Sequence, residues 1–150
     1  MADIAAELIT YLKTQSGVTS LVGSGSSARI YNQDSPPQHV ARTDSANTSL
    51  APTLCVTVQA IENMGHMGGR SSLNVADVMI TSFAATPTAR SALASAVYSA
   101  LPPSLSSMGS VDVAEVFTQS RQVDSDALPY EGSDFRVYVA TSAYRIWFYE

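Results

Sequence analysis

Four stretches of the chain, residues 53–61, 72–83, 109–119 and 134–149, alternate apolar with polar or small side chains. A two-residue period marks a strand with one face turned to a core, and nothing else in the sequence limits the fold as strongly. In the first stretch Leu54, Val56 and Val58 alternate with Cys55, Thr57 and Gln59. The second has Leu73 and Val75 in one register and Val78 and Ile80 in the other, which predicts a bulge near Ala76 and Asp77. The third sets Val111, Val113 and Phe117 on one face. The fourth switches between Val137/Val139 and Ile146/Phe148, so a second bulge is expected there. Residues 28–31 read as a further short strand.

Two segments have helical spacing instead. Residues 3–14 carry Ile4, Leu8, Ile9 and Leu12 on one side, with Asp3 as N-cap and Gly17 just past the end as a capping glycine. Val18, Leu21 and Val22 then form a short helical or irregular turn. Thr86-Pro87 opens the second helix, whose inner stripe is Leu93, Ala96, Val97, Ala100 and Leu101 and which Pro102-Pro103 ends. Hairpin-linked strands interrupted by one helix give an α+β fold: a mainly antiparallel sheet of four to five strands with two helices packed on one face, in a single domain over residues 1–150. Three polar connections stand out: residues 32–52, 62–70 and 120–133. The final strand reads as core, with an edge strand pairing to a neighbouring subunit as the alternative.

The chain has 150 residues, 45% hydrophobic and only 14% charged, against a usual charged share of about 25%. So little charge on the surface points to subunit contacts. The formal net charge is −5, the arginines are scattered, and Lys13 is the single lysine, so the clustered cations that neutralise phosphates are missing. No run of about 18 apolar residues predicts a membrane helix, and no basic segment opens an export signal. Cys55 is alone and reads as a small core residue. His39 and His66 sit in separate polar stretches without Cys or His nearby, so no metal site is expected. Gly23-Ser24-Gly25-Ser26-Ser27 lacks the Gly-Lys-Ser/Thr ending of a phosphate loop and reads as a connector. No serine sits in a nucleophile elbow. No catalytic residue and no cofactor are predicted; a small hydrolase is the remote alternative.

With these elements in order, the chain resembles the small tail-completion (tail-terminator) family of long-tailed bacteriophages. The resemblance rests on Val18-Thr19-Ser20-Leu21-Val22-Gly23 after the first helix, Arg29-Ile30-Tyr31 before Pro36-Pro37, Pro52-Thr53-Leu54-Cys55-Val56 at the first long strand, the Ala-rich helix, and the closing Arg145-Ile146-Trp147-Phe148-Tyr149. It spans nearly the whole chain and departs from the family's pattern in the central strand, which here runs from Val75 to Ala84. It implies a structural protein, not an enzyme, made in the host cytoplasm and carried in the virion. Such a protein forms a homo-hexameric ring at the head-proximal end of the tail tube, ends tail polymerisation and joins the head–tail connector. Its partners would be other copies, the tail-tube protein and the connector, with DNA passing through unread and no membrane involved. A neck or head-closure protein, or a tail-tube subunit, is the alternative.

Two sets of residues are expected to act in this setting. Pro36, Pro37 and Arg42 in one loop, and Met64, His66, Met67 and Arg70 at a Gly-rich hairpin tip, are expected to dock on partners. Both segments are longer than a minimal connection, and methionine conforms to partner surfaces. Asp124, Asp126 and Glu131 are expected to line the passage and repel the DNA backbone.

Overall fold

The computed structural model describes residues 3–34, 36, 51–65, 67–69, 72–129 and 136–150. Asp3 caps α1 (Ile4–Leu12): its carboxylate accepts the Ala6 N–H at 3.2 Å, satisfying one donor that a helix start leaves open. Ile4, Leu8 and Leu12 share its buried side. The helix stops at Leu12, and Gly17 is not its cap but lies inside a separate helix, α2 (Ser16–Val22), so the described residues form three α-helices rather than two. Gly23 ends α2 at φ 88°, a conformation that favours glycine. α3 (Pro87–Ala100) starts as expected, with the Thr86 hydroxyl accepting the Ala89 N–H at 3.1 Å and Pro87 in the first turn.

The strands are β1 (Ile30–Tyr31), β2 (Thr53–Asn63), β3 (Leu73–Ala84), β4 (Ser107–Met108), β5 (Val111–Pro129) and β6 (Arg136–Tyr149). They form one six-stranded sheet in the order β1-β2-β3-β6-β5-β4. β1 is parallel to β2 and every other pair is antiparallel. The α+β class stands, but among the described residues the sheet is mixed and has six strands, where four to five were expected. All three helices pack on one face. Ile4, Leu8, Val18, Val22, Leu93 and Val97 join Val78, Ile80, Tyr144, Ile146 and Phe148 in the main core.

Neither expected bulge interrupts β3 against β6, which pair without a break from Leu73↔Tyr149 to Ala84↔Tyr138. In β3 Leu73 and Val75 stand on the outer face beside Tyr149 and Trp147, with Val78 and Ile80 on the helix face, and in β6 both faces hold apolar clusters at different heights. Val137 and Val139 join Tyr31 and Phe83 away from the helices, while Ile146 and Phe148 belong to the main core. A bulge does occur opposite Asp77 and Val78, but on the neighbouring strand, where Gln59 of β2 is the extra residue between Val58 and Ala60.

The polar stretch from Ser120 is not a loop as far as Pro129: it continues β5 against β6, with Val123↔Thr141 and Asp124↔Ala140 in register. A polar strand is tolerated there because its outer edge meets solvent. β6 lies between β3 and β5, so the closing aromatic strand is core and not an edge. Phe148, Ile146 and Tyr144 are fully buried.

Candidate interaction surface

The face away from the helices is centred on one ion pair. Arg145 donates from Nε to Asp77 Oδ1 at 2.7 Å and from a second nitrogen to Oδ2 at 3.0 Å, a bidentate grip across neighbouring strands. Hydrogen bonding by Arg145 holds the Asp77 carboxyl below its ordinary value, and the same bond raises Arg145. Phe117 pairs with Arg145 and so stands on this face, 58% exposed. The sequence placed Phe117 with Val111 and Val113. Ala114 is an extra residue between Val113↔Phe148 and Glu115↔Trp147, which puts Val116 into the core and turns Phe117 outward. Val123, also on this face, is 55% exposed.

Among the described residues, both long edges of the sheet are unpaired over much of their length. β1 covers only Leu54 and Cys55 of β2, and among the described residues no strand pairs with the outer side of residues 57–62. β4 covers only Val111 and Asp112 of β5, and no described strand pairs with its outer side from Ala114 on. The sequence missed these surfaces because strand order decides which edges are open, and periodicity does not report it.

The hairpin tip is partly described. Met67 is fully exposed and Met64 half-buried, the Met64 N–H donates to the Leu73 carbonyl at 2.9 Å, and the Asn63 amide donates to Asn74 Oδ1 at 2.9 Å. Pro36 is buried. The expectations for Pro37, Arg42, His66, Arg70 and Glu131 concern positions outside the described residues. Asp126 falls within β5. Asp124 stands on the helix side, where Arg90 donates to it at 3.1 Å and the Gln122 amide at 2.6 Å. Arg121 lies over the Tyr98 ring, 4.2 Å from its centre.

Little here is arranged for chemistry. Burial pushes the Cys55 thiol up to about 12, which removes the reactive thiolate at neutral pH. Among the described residues no three His, Cys, Asp or Glu side chains are placed to hold a metal ion, and no helix is long and apolar enough to cross a membrane. A groove of about 420 Å³ between α2 and α3 is lined by Gly17, Leu21, Ala92, Ser95 and Ala96 among others, with no titratable group.

No family model and no curated protein matches the chain. Among solved structures, a chain of the virion of a native gene transfer agent particle has the same fold, with a TM-score of 0.61 at 16% identity over 98% of this chain and 95% of that one.

Proposed function

We propose that the protein is a structural virion component of a long-tailed phage or phage-like particle, and within it the tail terminator. Copies form a ring at the head-proximal end of the tail tube, stop its growth and present a surface to the head-side connector. The observation that carries this reading is end-to-end likeness of fold, covering 98% of the chain, to a chain of a gene transfer agent virion. The ordered motifs from Val18 to Tyr149 support the finer assignment. The work done is shape complementarity, with no catalytic step. Exposed Phe117, Val123 and Met67 on a surface poor in charge are what such contacts require.

The open edges of the sheet would equally serve a tail-tube subunit, which polymerises without limit. Negative-stain imaging of the purified chain separates the two. Single closed rings support the terminator, and fibres of indefinite length support the tube subunit.

A further inference from the structure

Strand direction and strand count together define how one copy would meet the next. β2, β3, β6 and β5 are four neighbours joined by antiparallel pairings, so β2 and β5 run in opposite directions at the two sides of the sheet. If the sheet is continued into a second copy of the same orientation, β5 of one meets β2 of the next antiparallel, as in the ladders already present. An odd number of strands would have made that junction parallel.

The geometry of the two edges agrees. β5 carries four irregularities against β6, and such bulges, with Asp112 and Asp124 nearby, protect much of this edge from pairing. The longest straight run between them is residues 115–118, and it carries Phe117. β2 is straight beyond its own bulge from Ala60, and that run carries Ile61, 39% exposed. The two runs lie at the same height. Phe117, Arg145, Asp77 and Ala60 are successive partners in one row across the sheet, and Val116, Ile146, Ala76 and Ile61 form the next.

We propose that residues 115–118 of β5 in one copy pair antiparallel with the Ala60 to Glu62 edge of β2 in a second copy, so that a continuous sheet links copies head to tail. Unstaggered, Glu62 would face Glu115, since both belong to the Val75–Trp147 row. A two-residue stagger separates the carboxylates and keeps every side chain on its own face. Neighbouring strands rotate by roughly 20 to 25°, so a sheet extended this way coils and can close on itself. The proposal deepens the ring reading and rests on it for closure.

The test uses two full-length variants, Ile61→Asp and Phe117→Asp, each adding charge to one edge at an exposed position. Parent and variants are sized by sedimentation, and circular dichroism checks that the variants fold as the parent does. The parent is expected to assemble, and each variant alone to be monomeric. Their equimolar mixture should form a dimer and nothing larger, because one intact edge of each kind remains. A dimer of either variant alone, a mixture that stays monomeric, or a parent monomeric at its highest soluble concentration would overturn the pairing. A second measurement covers misfolding of an Asp variant. Ala60→Cys and Thr118→Cys chains are mixed with a bismaleimide, the native Cys55 being 1% exposed and out of reach. A cross-linked dimer is expected from the mixture, and its absence counts against the proposal. If the edges pair but particles hold no such ring, the virion placement fails while the pairing stands.

Discussion

Single side chains separate what is local from what is not. The caps at Asp3 and Thr86 bond three residues along the chain, and the sequence showed both. Glu7 could not be read in the same way. Its carboxylate accepts the Ser110 N–H at 2.7 Å and the Ser110 hydroxyl at 2.8 Å, across 103 residues. Those bonds hold Glu7 below its ordinary 4.5, as Arg145 holds Asp77 below 3.8. A carboxyl depressed in the folded state stabilises fully above its unfolded value and loses that contribution as pH falls through the folded one. The melting temperature should therefore decline as pH drops below about 4.5, and Glu7→Gln should flatten part of that decline. A Glu7→Gln profile that overlays the parent's would remove Glu7 from the acid response. Gly109, at φ 61°, lies against Glu7 where a Cβ would collide with its carboxylate, so Gly109→Ala should lower the melting temperature. Phe148→Ala should cost about 3–5 kcal/mol in chemical denaturation, because the ring is fully buried. Trp147→Ala, removing a half-buried ring on the opposite face, should cost less. Equal losses would contradict the assignment of faces.

At the level of elements, the two-residue alternation disclosed the four long strands because each has one face in a core. It misplaced the bulges, since a switch of apolar register has two physical causes. In β6 the cause is a second apolar cluster around Val139 and Phe83, and in β3 it is Leu73 and Val75 standing on the outer face beside Tyr149 and Trp147, with the backbone unbroken in both. In β5 it is an inserted residue, Ala114, which no periodicity separates from its neighbours. Deleting Ala114 should leave Val116 buried and Phe117 outward, because Glu115 then follows Val113 directly and keeps its place opposite Trp147. A severe loss of stability in the deletion variant would place the bulge elsewhere. The β2–β3 connection invites a different change. Replacing residues 63–69 by Asn-Gly should leave the fold intact, as seen by circular dichroism, while abolishing tail completion if Met64 and Met67 dock on a partner. A shortened protein that caps tails as well as the parent would end the docking role of this tip.

For the whole molecule, α+β character was legible and strand order was not. Nothing local told that β1 would run parallel to β2, or that the aromatic β6 would lie inside the sheet and leave the polar β5 at its side. Neighbour relations between strands are set by packing of distant segments, so edges, and with them the surfaces for other copies, emerge only from the assembled fold. The exposed Phe117 on a central row and the antiparallel match of β2 with β5 give the ring reading its physical content. Imaging intact particles by cryo-electron microscopy, with this chain carrying a small fused tag, tests that reading most directly. One ring of tagged subunits where the tail tube meets the head is the expected result; tag density repeated along the tube, or absent from the particle, would rule the ring out.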